Sequence, residues 1–298
     1  MTGKITKKFK ALGAQVDVQL VFENEKKKKK ARMDTQSVKN IFSVKQKIFC
    51  RFNPESELSK LNENLGVWQE ASPDMVYLAK RALFYSRESG GLYDPRVIEV
   101  LESIGYKNKN TKSINPSLAE RKPKSLSTDL KIRGNKIFFT RRMDFSGIAK
   151  GYIIDQAAEF LKKRGWRNFF INVNGDAFAA GRDTSGDKWR LSIEGARDKN
   201  AFVYISDQGA ATSGVIKRQW KHKGKNVHHL VNPKNPGKFS LKTKSAIVVH
   251  KKTEWADGRA KILVLLGKEK GLAFAKRKKL NALFVDNREK IIFPNQRD

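Results

Sequence analysis

The stretch DFSGIAKGYIID, Asp144 to Asp155, carries the residue types of a phosphate site: a strand enters it, small residues turn it, and a helix leaves it. Backbone amides at a helix N-terminus point toward an anion, and the ammonium of Lys150 adds a full charge beside them. The same spacing also fits an ordinary strand-to-helix turn with a surface lysine, and both readings stand on the spacing alone. A Walker motif is excluded, because no GK pair with Ser or Thr occurs at the required spacing. Cys50 is the one cysteine, which excludes an intramolecular disulfide framework and a cysteine-rich metal site.

The neighbouring elements have to hold that segment in place. Ile137 to Thr140 reads as a strand, Asp144 to Gly151 as a turn, and Tyr152 to Arg164 as a helix with Ile153, Ala157, Phe160 and Leu161 on one side. Gly165 stops the helix, and NFFINV, Asn168 to Val173, follows as a buried strand ending in the tight turn NGD. Upstream, Phe9 to Phe22 ends in the period-two alternation of Val16, Val18 and Leu20, with Gly13 breaking it near its start. Thr35 or Asp34 is placed to cap a helix with Val38, Ile41, Phe42, Ile48 and Phe49 inward, stopping near Pro54. Ser72 and Pro73 start another, which Gly90 and Gly91 end. Strands at Trp189 to Ile193, Phe202 to Ser206 and Ser245 to His250, and a helix at Trp255 to Leu266, complete an irregular alternation. That pattern predicts an α+β fold in preference to a doubly wound parallel sheet.

The 298 residues, 39% of them hydrophobic, suffice for one large core or two packed lobes, and exclude a disordered tail. With 62 Lys and Arg against 30 Asp and Glu, the formal net charge is +32, a sign that suits nucleotides, acidic membranes and nucleic acid alike. The lysines are spread along the chain on polar faces, and no nucleic-acid-binding motif accompanies them, so specific nucleic-acid binding is not expected. Lys26 to Lys30 reads as a basic solvated loop near residues 24–33, and the polar stretch near 107–128, with Pro116 and Pro123, as an irregular surface excursion. No apolar run approaches a membrane span and the N-terminus lacks a signal-peptide core, which together predict a soluble cytoplasmic protein.

Several segments, in order, resemble those of the ApbE family of flavin transferases. DFSGIAKGYIID is similar to the family's DLGGIAKGYAVD, and NVNGD, Asn172 to Asp176, to its glycine-rich turn. SELSKLN, Ser56 to Asn62, resembles SELSRLN; GLYDPRV, Gly91 to Val97, resembles GxFDPTV; ATSG, Ala211 to Gly214, resembles the TSG turn. HLVNP, His229 to Pro233, resembles HIIDP, and ADGRAK, Ala256 to Lys261, resembles ADALAT. The resemblance runs from Leu12 to Lys261 and so implies one domain over residues 1–298, with a mixed, largely antiparallel sheet, flanking helices and an FAD cleft.

What the resemblance implies for chemistry is transfer of the FMN half of FAD to a threonine or serine of an acceptor flavoprotein or redox-complex subunit. The flavin nucleotide would touch Leu12, Phe52, Leu92, Tyr93, Asp94, Asp144 and Lys150. A magnesium ion would be held by the carbonyl of Gly147, by Asp257 and by a family threonine whose place is taken here by Lys261, and an ammonium cannot ligate a cation. Asn232 replaces an aspartate of HIIDP, Ser146 and Asn174 replace glycines, and Ala14 replaces a threonine. His229 remains as an ionisable candidate for taking the acceptor's proton, with Asp257 beside it as the other catalytic candidate. A partly exposed histidine in a basic loop is the plainer reading of His229. Loss of catalysis with FAD binding retained, and hydrolysis of FAD by water, are the rival functional expectations.

Overall fold

The computed structural model describes residues 3–106, 124–239 and 243–294. Most of the expected excursion near 107–128 falls outside the described residues, although Leu126–Asp129 within it forms a single helical turn. Along the chain the elements are β1 (Gly3–Ala11), β2 (Ala14–Phe22), α1 (Lys28–Phe49), α2 (Glu57–Glu63), β3 (Trp68–Glu70), α3 (Pro73–Glu88), α4 (Ile98–Ser103) and α5 (Leu126–Asp129). They continue with β4 (Leu130–Arg133), β5 (Lys136–Phe139), α6 (Ser146–Lys163), β6 (Phe169–Val173), β7 (Asp176–Ala180), β8 (Trp189–Ser192), β9 (Phe202–Ile205), β10 (Gln208–Gly214), β11 (Gln219–His222) and β12 (Lys225–His228). β13 (Thr243–His250), α7 (Thr253–Leu266), α8 (Lys268–Arg277), β14 (Asn281–Asp286) and β15 (Ile291–Ile292) follow.

Eight strands form the main sheet in the order β1-β2-β6-β7-β10-β13-β14-β15, and every neighbouring pair is antiparallel. This is the expected α+β architecture. Alternation decides which layer each residue joins: Phe169, Ile171 and Val173 face the large core under α1, α6 and α7, while Phe170 between them joins a second cluster with Trp189, Leu191 and Ile205. The β8–β9 hairpin thus covers the far face, which is why Phe169, Phe170 and Ile171 are apolar in succession, with half-buried Asn172 the polar position in the strand.

Three readings of the sequence are corrected. The lysine run is not a loop: Asn24 caps a short 3-10 turn by accepting from Lys26 N at 2.9 Å, and α1 begins at Lys28. Lysine is a good helix former, and Ala31, Val38, Phe42 and Phe49 give the run a buried face to continue into. Asp34 and Thr35 therefore lie inside the helix, where Asp34 pairs with Arg164 at 3.0 Å and accepts from Trp166 Nε1 at 2.8 Å. Phe9 to Phe22 is not one strand but a hairpin, turned at Leu12 and Gly13 with φ of 55° and 67°, the left-handed pair of a two-residue turn. Lastly, α6 starts at Ser146, well before Tyr152, because the small residues of SGIAKG pack against α7.

That packing is tight. A Cβ on Gly151 would stand 2.7 Å from Glu254 Cα and 2.8 Å from Thr253 O, so only glycine lets α6 and α7 approach so closely. Asp155 on α6 fixes the register by accepting from Thr253 N at 2.7 Å and Glu254 N at 3.0 Å, capping α7. Burial pushes this carboxyl up to about 6 despite those amides. No helix among the described residues is long and apolar enough to cross a membrane.

Candidate active site

Two motifs away from the cleft turn out to be its fixings. In SELSKLN, Ser56 caps α2 through Ser59 N at 3.1 Å, and Asn62 binds both backbone groups of Met143, donating to its carbonyl at 2.9 Å and accepting from its N–H at 2.8 Å. The residue after that double bond is Asp144. Its carboxylate accepts from Ser146 N at 2.8 Å and pairs with Arg51 at 3.0 Å, while Arg51 also holds Glu102 at 3.0 Å. In GLYDPRV, the glycines Gly90 and Gly91 take φ of 58° and 83° to turn the chain out of α3, and Asp94 pairs with Arg96 at 2.7 Å.

The cleft these residues border has two adjoining compartments. The first is largely apolar, walled by Leu92, Tyr93, Val97, Leu101, Tyr106 and Leu230, with Asp94, Asp144 and Gly147 at its edge. The second is polar, walled by Lys150, Asn174, Thr212, Ser213, Lys217 and Asp257. Ser146, Arg218, His229 and Lys261 line both and form the waist between them.

Lys150, on the second turn of α6, is ion-paired with the buried carboxylate of Asp176. Burial alone would lower its pKa, but Asp176 and then Asp257 outweigh that and hold the ammonium charged. Asp176 sits there because Asn174 and Gly175, with φ of 51° and 100°, close the β6–β7 hairpin, and its other oxygen accepts from Thr212 N at 3.0 Å. ATSG is accordingly part of β10 and not a turn; Thr212 Oγ1 also donates to Gly175 O at 3.1 Å.

Asp257 and Lys261 lie one turn apart on α7 and so face the cleft together. Asp257 accepts from Gly151 N at 3.2 Å, and burial, then Asp176, pushes its carboxyl well above the usual carboxylate range. Lys261 lies against Gly147: a Cβ there would strike its ammonium and lie 3.2 Å from its Cε. Burial lowers Lys261, with Asp257 opposing that shift. His229 is enclosed rather than loop-exposed. Burial first, and then the charges of Lys261, Arg218 and Lys150, hold it well below its ordinary value, so the ring is neutral at pH 7. Its Nδ1 is buried without a hydrogen-bond partner, and so is the hydroxyl of Tyr93, whose pKa burial raises.

The structure therefore brings Leu92, Tyr93, Asp94, Asp144, Gly147, Lys150, His229, Asp257 and Lys261 to one cleft. Two predicted residues stand apart. Leu12 does not line the cleft: it occupies the β1–β2 turn, pinned by donation from its N–H to Gln46 Oε1 at 2.9 Å. Phe52 stands behind the wall, with its ring edge-to-face on Tyr106 at 6.0 Å and the Arg51 guanidinium 4.0 Å above it. Asn232 shapes a turn by accepting from Lys234 N at 3.0 Å and lines a neighbouring open groove that shares Leu92 and Leu265 with the first compartment.

The residues that sequence reasoning missed are Tyr106, Asp176 and Arg218. Asp176 was visible in principle, as a carboxylate directly after the tight turn that ends a mostly apolar strand. Arg218 carries no such signal within VIKRQWKHK, and only the fold places it. Trp220 stacks on Tyr106 at 5.5 Å and donates to Ile104 O at 2.6 Å, which fastens the β11–β12 hairpin over the first compartment with Arg218 at its root.

The position offered to magnesium does not suit it. Of the three groups the resemblance assigns, Gly147 and Asp257 could supply oxygens, but the third is an ammonium lying against Gly147. Among the described residues no cluster of three or more His, Cys, Asp or Glu could hold a metal ion.

A family model described as ApbE family matches residues 12–284. An FAD:protein FMN transferase of Haemophilus influenzae is 27% identical over 251 residues, covering 78% of this chain and 72% of that protein. One of Vibrio cholerae is 25% identical over 245 residues, covering 78% and 73%. Among solved structures, the flavin transferase ApbE from Vibrio cholerae superposes with a TM-score of 0.82 at 19% identity, over 98% of this chain and 97% of that one. The apo form of the Pseudomonas stutzeri flavinyl transferase ApbE gives 0.82 at 22% identity, over 98% and 93%. The first pair agrees in sequence and the second in fold, and the family match spans nearly the whole chain: this protein belongs to the ApbE family.

Proposed function

We propose that this chain is an FAD:protein FMN transferase, carrying FMN from FAD to a Thr or Ser hydroxyl of an acceptor flavoprotein or redox-complex subunit and releasing AMP. The observation that carries the reading is the two-compartment cleft with a cationic waist. An extended dinucleotide has the same anatomy, with two ring-bearing halves joined by a pyrophosphate. The apolar compartment suits adenine, with Tyr93 Oη free to donate to it or to its ribose. Arg218 and Lys261 suit the pyrophosphate, and the polar compartment leaves room for the FMN phosphate and the entering hydroxyl.

In the step itself the acceptor oxygen attacks the FMN-side phosphorus, a new P–O ester bond forms, and the anhydride bond to AMP breaks. The neutral His229, with Nδ1 unpartnered, takes the hydroxyl proton, and Asp257 is the second group able to receive it. Fixed cations at the waist stabilise charge on the phosphoryl oxygens, the largest contribution in such transfers. This step uses no group on Asn232, whose side chain caps a turn beside a neighbouring groove.

The test is incubation with FAD and an acceptor domain containing a threonine, followed by mass spectrometry of the acceptor and chromatography of the nucleotides. Acceptor carrying FMN, with one AMP released per FMN attached, is expected. FMN and AMP free in solution with the acceptor unmodified would replace transfer by hydrolysis. FAD bound but intact would replace it by a binding role.

A further inference from the structure

The cleft contains a charge balance that fits a monovalent side-chain cation and opposes a divalent ion. Of the charges around it, Lys150 is committed to Asp176 and Lys217 to Glu194 at 2.7 Å, which leaves Asp257 facing Lys261 and Arg218. The Lys261 ammonium lies against the backbone of Gly147, one helical turn from Asp257. A side chain at position 147 would have to displace the Lys261 ammonium and would approach the Tyr93 ring to 3.3 Å, so glycine here leaves Lys261 the space it occupies.

Resting on the FAD reading above, we propose that Lys261 is the resident cation of this cleft: its ammonium takes the place between Gly147 and Asp257 where a divalent ion would bridge to the pyrophosphate. The chain accordingly binds FAD without magnesium. A dication entering beside Lys150, Lys261 and Arg218 meets repulsion from three charges at short range in a poorly screened site. With threonine at position 261, one cation leaves and a hydroxyl oxygen appears one helical turn from Asp257. Such a set attracts a dication. Lys261 is well placed for the alternative duty because it lines both compartments at their waist, where the pyrophosphate of an extended FAD would lie.

The experiment compares the native chain with Lys261→Thr and Lys261→Met, each checked for folding by circular dichroism. Mn2+ binding is read by electron paramagnetic resonance without nucleotide, and FAD affinity by calorimetry in chelator and in magnesium. The native chain is expected to show no stoichiometric Mn2+ site and the same FAD affinity in both media. Lys261→Thr should gain one Mn2+ site and lose about tenfold or more in FAD affinity in chelator, the loss of one charge-assisted contact, with recovery in magnesium. Lys261→Met should show the loss without the gain. A stoichiometric Mn2+ site in the native chain, or none in either the native chain or Lys261→Thr, overturns the proposal. Failure of the native chain to bind FAD overturns the FAD reading instead, and the nucleotide-free Mn2+ comparison still decides the cation assignment.

Discussion

Replacing Lys150 by methionine removes one half of the Lys150–Asp176 ion pair while keeping most of the side chain's volume, and leaves a carboxylate with no exposed surface uncompensated. Breaking a buried pair in this way costs about 3–5 kcal/mol, because the surviving charge keeps its desolvation penalty. For a chain this long that corresponds to a fall in melting temperature of roughly 5–8 °C. Adding Asp176→Asn should restore part of the loss, at least about 1–2 kcal/mol, since the amide carries no charge and its oxygen can still accept from Thr212 N. Removing Lys26, Lys27 or Lys29 should instead change stability by no more than about 0.5 kcal/mol, as solvated surface charges do, whereas Lys30 is tied to Arg164 O, Asp34 and the Trp166 ring. The assay is urea unfolding of the single and double variants, with FAD titration at physiological salt in parallel. If Lys150→Met loses less than about 1 kcal/mol, or the second substitution deepens the loss, the pair is not what neutralises Asp176 and the account of the cleft floor is wrong.

Gly151→Ala should destabilise by about 1–3 kcal/mol of overpacking, less the roughly 1 kcal/mol that alanine contributes to a helix, and a melting temperature at or above the native value would refute the α6–α7 contact. Tyr93→Phe should leave stability unchanged, since its hydroxyl has no partner, yet weaken FAD binding by about two- to tenfold; equal effects on both would mean the hydroxyl is structural. Because Lys261 helps hold His229 below its ordinary value, Lys261→Met should raise it. The neutral ring is then lost at a higher pH on acidification, so both the NMR titration midpoint of His229 and the acidic limb of turnover should move upward together, and an unmoved midpoint counts against the coupling.

The core was legible in the sequence wherever a period was clean. Val16, Val18 and Leu20 alternate, Phe169 to Ile171 run apolar in succession, and Ser72 with Pro73 starts α3 as expected, Ser72 Oγ accepting from Met75 N at 3.2 Å. Boundaries failed where composition misled. Five lysines read as solvent, although solvent is also what the outer face of α1 meets, and glycine-rich SGIAKG read as a turn, although its glycines admit a second helix. The site divides in the same manner. On α6 and α7 the strand-turn-helix pattern pointed to Lys150, and the family resemblance pointed to Gly147, Asp257 and Lys261, whereas Arg218 and Tyr106 enter from irregular segments with no period to read.

The departures from the family pattern carry different weight once they are placed in three dimensions. Asn232 and Lys261 look equivalent in sequence, each a substitution at an acidic or ligating position within a short motif. In the structure Asn232 holds a turn beside an open groove, and a residue there answers to local backbone geometry. Lys261 stands at the waist of the cleft, inside a set of charges that must sum to something an anion tolerates. Changing one member of such a set alters what the others meet: the Lys261 charge opposes the upward shift of Asp257, adds to the burial that holds His229 neutral, and its side chain fills the space over Gly147. A single substitution can therefore move the cation requirement of a flavin site from the solvent to the chain while leaving the fold that positions it unchanged.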